Sequence, residues 1–227
     1  MRFRNRSDAG KQLANALLGF RDVSPIVLAL PRGGVPVAAE VAKRLHAPLE
    51  LVIVRKLGLP QQPELAMGAV VDTSPPVVLM NDAVIAAAGV SSAAFSEVRD
   101  RELAEARRRR VRYVGQHRPL DTRGRTVIVV DDGIATGATM RAAVQAVRTT
   151  APRRIIVAAP VGPPDAITQL RREADDVICL SAPADLGAIQ FYYEMFDQVT
   201  DREVTMILRQ LRSRGPADSS GSPASAS

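Results

Sequence analysis

Residues 127–139, Val-Ile-Val-Val-Asp-Asp-Gly-Ile-Ala-Thr-Gly-Ala-Thr, set two carboxylates, two glycines and two threonines directly after an apolar run. Thr126 to Val130 is β-branched and uncharged, the composition of a strand covered on both faces in a parallel sheet. Asp131 and Asp132 therefore emerge at its carboxyl end. Gly133 and Gly137 let the backbone turn sharply and approach a ligand, and Ala142, Ala143, Ala146 and Val147 then recur at helical spacing. A turn that opens a helix offers free amides and the positive end of the helix dipole, which favours a phosphate, and the Thr136 and Thr139 hydroxyls add donors. Carboxylates would repel that phosphate, so Asp131 and Asp132 suit neutral sugar hydroxyls or a hydrated magnesium ion. Together the parts fit a phosphorylated sugar; the plain alternative is a tight strand-to-helix turn with solvated acids.

Other loops carry weaker signals. Gly133 and Gly137 are too close for Gly-x-x-x-x-Gly-Lys-Ser/Thr and no lysine follows, so a nucleotide-hydrolase loop lacks support, and the dinucleotide fingerprint Gly-x-Gly-x-x-Gly is missing here. Pro31-Arg32-Gly33-Gly34 presents two glycine amides and a guanidinium at the start of a helix, which suits a diphosphate or makes a simple turn. Arg55-Lys56 precedes a segment containing Gly58, Pro60 and Pro63, where a cation pair could neutralise a departing diphosphate or lie solvated. Phe191, Tyr192, Tyr193 and Phe196 cluster as a platform for a planar base or, as the favoured reading, as ordinary packing. Arg107, Arg108, Arg109 and Arg110 form the densest charge run; Glu102 and Glu105 permit helix-face pairs, so a solvated face is expected. His46 and His117 lie near no motif and receive no role.

The segment from Asp131 to Thr139 closely resembles the phosphoribosyl-diphosphate signature of the type I phosphoribosyltransferases, two acids followed by Gly-x-Ala-Thr-Gly-x-Thr after an apolar strand. The resemblance extends over residues 24–180, although only the signature is sharp. It implies that Asp131 and Asp132 grip the ribose 2- and 3-hydroxyls, with magnesium held by both acids through water. Ala135, Thr136, Gly137, Ala138 and Thr139 would wrap the 5-phosphate, and Gly133 would be a further substrate-binding residue. Arg32, Gly33 and Gly34 take the place of the family's pyrophosphate loop, which often contains a strained peptide bond. Arg55 and Lys56 stand where the family keeps its flexible catalytic loop, with residues 64–68 as a returning arm. Arg32 and Lys56 would stabilise the leaving group, and Phe191 and Tyr192 would face the base from a small hood. The implied activity is transfer of ribose 5-phosphate from phosphoribosyl diphosphate to a small-molecule nitrogen acceptor, a nucleobase, as in nucleotide salvage. A homodimer is common in the family. A regulator that binds phosphoribosyl diphosphate without catalysis is the alternative, since some members act so.

The elements that must position these residues alternate. The patterns predict a helix capped by Ser7 with a stripe of Leu13, Ala14, Leu17 and Leu18, strands over 26–30 and 49–54, and a helix over 35–45. A mobile loop is expected over 55–64, then a hairpin or strand pair at 66–71 and 77–80 around Ser74-Pro75-Pro76. Helices over 82–88 and 92–114, the signature strand, strands at 155–159 and 177–180 and a helix over 164–174 complete the pattern. Such alternation predicts an α/β fold, a mostly parallel sheet flanked by helices, whose loops after the first strand and after Val130 meet if those strands are neighbours. With 227 residues and 46% hydrophobic content the chain can bury one substantial core, so one domain over 1–212 and a disordered tail over 213–227 are expected. A net charge of +6 suits a phosphate-rich substrate and is weak support for nucleic acid, which is not expected as a partner. Cys179 is the only cysteine, which favours a reducing cytoplasm and a buried core thiol, and no apolar run approaches a membrane span.

Overall fold

The computed structural model describes residues 1–73, 75–115 and 120–212. The tail over 213–227, His117 and Ser74 of the expected turn lie outside the described residues. Along the chain run α1 (Arg6–Ala16), β1 (Ile26–Ala29), α2 (Gly34–Leu45), β2 (Leu49–Leu51), β3 (Val54–Gly58), β4 (Ala66–Val71), β5 (Val77–Met80), α3 (Asp82–Ala87) and α4 (Ser92–Val114). There follow β6 (Thr126–Val130), α5 (Ala138–Arg148), β7 (Arg154–Val161), α6 (Pro164–Leu170), β8 (Asp176–Ser181) and α7 (Asp201–Arg212).

Five parallel strands form the central sheet in the order β2-β1-β6-β7-β8. The middle strands β1 and β6 are buried at every position because both faces are covered. Val27, Ala29, Ile128 and Val130 join the core that holds residues of α1, α2 and α7, whereas Ile26, Leu28, Val127 and Val129 join the one that holds α5 and α6. Val37 and Val41 of α2 are fully buried, each such side chain contributing about 1.5–3 kcal/mol. The chain leaves β1 toward β2 on one side and resumes at β6 on the other, so β1 and β6 are neighbours, Ala29 opposite Val130. That is the switch point at which the loops after the two strands must meet.

Several boundaries differ from expectation. Asn5, not Ser7, caps α1, its side chain accepting from the Asp8 amide. The expected mobile loop begins as a strand: β3 carries Arg55 and Lys56 and pairs antiparallel with β4, which pairs with β5 in a three-stranded sheet. Burial of Leu57 and the ladder to β4 outweigh the Gly and Pro content, which begins only at the last residue of β3 and continues into the turn. Gly58 is required there, since a side-chain carbon would lie 2.3 Å from the Pro63 carbonyl oxygen. Helix α7, to which sequence patterning assigned nothing, covers the sheet with Val204 and Leu208. No helix among the described residues is long and apolar enough to cross a membrane.

Helix α4 joins the two sheets. Its first half packs Phe95 and Val98 against Leu57, Met67 and Val70, and its second half sends Ala106, Tyr113 and Val114 into the main core. The arginine run is only partly a solvated face. Arg108 and Arg109 pair with Glu105, whose carboxyl their hydrogen bonds hold down to about 2. Arg110 instead turns inward, its Nε donating to Asp72 Oδ2 at 2.6 Å and its Nη2 to the Asp72 carbonyl at 2.5 Å. Asp72 is buried, so removing its carboxylate leaves the inward-turned guanidinium without its counter-charge, facing only backbone carbonyls among the described residues. Asp72→Ala is expected to cost about 3–5 kcal/mol in urea unfolding, whereas Arg107→Ala, on the exposed face, should leave the midpoint unchanged.

Candidate active site

The site is assembled at the carboxyl ends of β1 and β6. Asp131 and Asp132 leave β6, and Ile134 anchors the next turn by donating its amide to the Val161 carbonyl at 2.8 Å and burying its side chain. With Ile134 tied down, Ala135, Thr136, Ala138 and Thr139 are left exposed, and Gly137 opens α5 in the left-handed region at φ 78°. Among the described residues no acceptor is paired with the amides of Ala135, Thr136 or Gly137, and the Thr136 hydroxyl accepts from the Ala138 amide at 3.4 Å. Unpaired amides at the start of a helix form an anion cradle.

The loop after β1 lies directly on the acids. A side-chain carbon on Gly33 would sit 2.1 Å from Asp132 Oδ2, and one on Gly34 would sit 2.8 Å from the Val130 carbonyl oxygen. The Pro31-Arg32 peptide is cis. Only part of this loop can serve as an amide cradle, because the Gly34 amide donates to the Leu30 carbonyl at 3.1 Å. Arg32 points toward α7, its Nη1 3.7 Å from Asp201 Oδ1.

The acids are unequal. Burial first and the Asp132 charge second hold the Asp131 carboxyl well above the usual carboxylate range, although the Asp132 amide donates to its Oδ1 at 2.8 Å. Asp132 is met by Arg6, a residue without a sequence signal, whose Nε donates to Oδ2 at 2.7 Å across 126 positions of chain. The same guanidinium lies over the Phe196 ring, 3.8 Å from its centroid, and donates to the Asp197 carbonyl at 2.6 Å. The Tyr193 hydroxyl donates to the Asp132 carbonyl at 2.6 Å, and burial pushes that phenol up, so it stays protonated.

The aromatic cluster divides its work. Tyr193 is buried between Phe3 and Phe196, and backbone pairing of Phe3 with residues 192–194 ties the start of the chain to this segment. Packing therefore accounts for Tyr193 and Phe196. Phe191 is exposed against Gly187, and the Tyr192 hydroxyl donates to the Asp185 carbonyl at 3.3 Å. Arg55 and Lys56 are not drawn into the site. Arg55 donates from Nε and Nη2 to Glu102 Oε2 at 3.0 and 2.6 Å, and Lys56 Nζ reaches the Glu64 carboxylate and carbonyl at 3.2 Å. These contacts clamp the small sheet to α4 and join the two arms of its hairpin. Cys179 is half-buried, and burial raises its thiol.

Two outcomes follow from this geometry. A carboxyl whose pKa rises on folding stabilises the fold fully below its unfolded value near ~3.9 and loses that contribution as pH rises through the folded value. Asp131→Asn removes the loss, so the variant should melt about 2–4 °C above wild type at pH 8 for each ~1 kcal/mol recovered, with the two curves coinciding at pH 4. Gly33 has φ −59° and ψ −37°, which any residue tolerates, so Gly33→Ala should act only by displacing Asp132. The expected loss is about 1–3 kcal/mol in thermal or urea unfolding, as for an overpacked contact.

Comparison with known proteins agrees with this arrangement. A family profile described as a phosphoribosyl transferase domain matches residues 6–195. A Mycobacterium tuberculosis H37Rv protein, Rv0571c, whose name assigns it provisionally to the phosphoribosyl transferases, is 41% identical over 225 residues, 97% of this chain and 50% of its own length. The chain thus spans about half the length of the curated relatives it matches. The crystal structure of TT1426 from Thermus thermophilus shares 41% identity at a TM-score of 0.80, over 93% of this chain and 99% of that one. With acids, glycine loop and helix-opening turn gathered at one switch point, the chain belongs to the phosphoribosyl transferase domain family.

Proposed function

We propose that the protein transfers ribose 5-phosphate from phosphoribosyl diphosphate to a nitrogen acceptor, a nucleobase, and releases pyrophosphate. The observation that supports this reading is the close approach of Gly33 to Asp132 beside the exposed Ala135, Thr136, Ala138 and Thr139; on this reading a diol acceptor, a diphosphate loop and a phosphate cradle would stand side by side. In this scheme the amides and hydroxyls from Ala135 to Thr139 hold the 5-phosphate. The ribose hydroxyls donate to Asp131 and Asp132, replacing Arg6 at Asp132 Oδ2. The bond from C1 to the diphosphate oxygen breaks with its electron pair on pyrophosphate. The acceptor nitrogen supplies the pair for the new bond, and its proton passes to solvent. No protein nucleophile is needed; positioning and charge stabilisation of the departing group lower the barrier.

Arg32 and Lys56 would complete the charge balance. Each now rests on an acid, Asp201 and Glu64, at 3.7 and 3.2 Å, and exposed pairs of this kind exchange partners at little cost. Among the described residues no three His, Cys, Asp or Glu side chains converge on a metal position. Asp131 and Asp132, both oxygen donors, would be the residues to hold a hydrated magnesium ion at this site. Bound there, magnesium would neutralise charge on the leaving group. Phe191 and Tyr192 remain candidates for contact with the acceptor. A reducing cytoplasm and a homodimer are part of the same proposal.

Charged hydrogen bonds contribute about 1.5–3 kcal/mol each, so Asp132→Asn is expected to lower turnover by about ten- to a hundredfold in protein that still unfolds cooperatively, read at a temperature well below its midpoint. The assay is pyrophosphate release across a panel of purines, pyrimidines and orotate. Equal turnover of mutant and wild type removes the ribose assignment. Absence of release with every base, alongside tight binding of phosphoribosyl diphosphate, favours the non-catalytic regulator.

A further inference from the structure

A cationic groove of about 430 Å³ lies between α4 and α7, lined by Arg112, Asp201, Arg202, Thr205, Met206 and Arg209. Arg202 and Arg209 stand two turns apart on one face of α7, about 10 Å along its axis. Among the described residues neither has a hydrogen-bond or ion-pair partner, whereas Arg141 and Arg148 on α5 each bind an acid. The groove's single acid is already engaged. Asp201 Oδ2 binds Arg112 Nη1, and Oδ1 accepts from the Tyr113 hydroxyl at 2.7 Å and faces Arg32 Nη1 at 3.7 Å. Those contacts hold its carboxyl below the usual range, so it stays charged.

We propose that this groove is a second anion site, one that takes a polyphosphate chain, and that Asp201 transmits its occupancy to Arg32. Guanidinium groups pair with phosphate oxygens through two parallel donors, and Arg202 and Arg209 on long side chains can converge on a chain of two or three phosphates from either end. Met206, left 47% exposed, adds an apolar wall for a nucleoside if the chain carries one. A third phosphate contact draws Arg112 off Asp201. The carboxylate that two guanidiniums shared then keeps Arg32 as its one cation, beside the Tyr113 hydroxyl, and holds that guanidinium back from the diphosphate. The coupling to Arg32 rests on the transferase reading; the site itself does not.

Calorimetric titration of wild type and of the Arg202→Ala/Arg209→Ala double variant with inorganic triphosphate and with ATP tests the site at low salt. Both substitutions are of exposed residues outside the substrate loops. At least tenfold weaker triphosphate binding is expected in the variant, with phosphoribosyl diphosphate binding retained. ATP equal to triphosphate assigns the bare chain, and tighter ATP assigns a nucleotide; both support the site. Unchanged binding in the variant overturns it, as does preference for a single-stranded RNA over both small ligands. In the pyrophosphate assay, triphosphate should raise KM for phosphoribosyl diphosphate about threefold more in wild type than in the variant. An equal rise in both means direct competition at the substrate loop and overturns the coupling. If no base supports release, the transferase reading fails while the calorimetric result still decides the site.

Discussion

Gly33 and the Asp132 carboxylate meet so closely that no side-chain carbon fits between them, and the geometry of the site depends on that approach. It exists because β1 and β6 are adjacent and in parallel register, which brings their following loops to the same height. The sheet supplies rigidity through strands buried on both faces, and the two loops supply chemistry that a buried strand could not hold. Ile134 then fastens the turn to β7, and the amides of the next three residues have no partner among the described residues. Unpaired amides and a carboxylate pair are thus held by the same few residues.

The electrostatics of this junction are those of a site rather than of a stability device. Two carboxylates at consecutive positions repel one another, and burial raises the cost for Asp131. The fold tolerates the pair by setting a guanidinium against the outer acid and a phenol against its carbonyl. Arg6 is held there by the Phe196 ring and the Asp197 carbonyl, so a segment near the start of the chain and one near residue 196 cooperate over a distance that no local pattern reveals. A ligand with hydroxyl donors would offer the same acid an uncharged partner.

The small sheet is fixed by α4 through two buried or half-buried ion pairs, Arg55 with Glu102 and Arg110 with Asp72. Cations that look alike in the sequence therefore differ in kind. Arg110 is a fastening, Arg108 and Arg109 belong to a solvated helix face, and Lys56 remains exposed at the hairpin arm where it can exchange partners. Charge count alone does not separate these roles; burial and the identity of the facing acid do.

Local chemistry determined much of this protein in advance. The apolar run before Asp131, the glycines after it and the helical recurrence beyond them specify a strand, a sharp turn and a helix start, because each depends on backbone conformations set within a few residues. The limits of β6 and α4 were legible for the same reason. What only tertiary structure decided is pairing across long separations: Arg6 with Asp132, Arg32 with Asp201, Arg55 with Glu102, and the conversion of an apparent loop into β3. Such partners are chosen by topology, which places distant side chains at one sheet end, and a pattern read along the chain has no term for a neighbour that arrives through space.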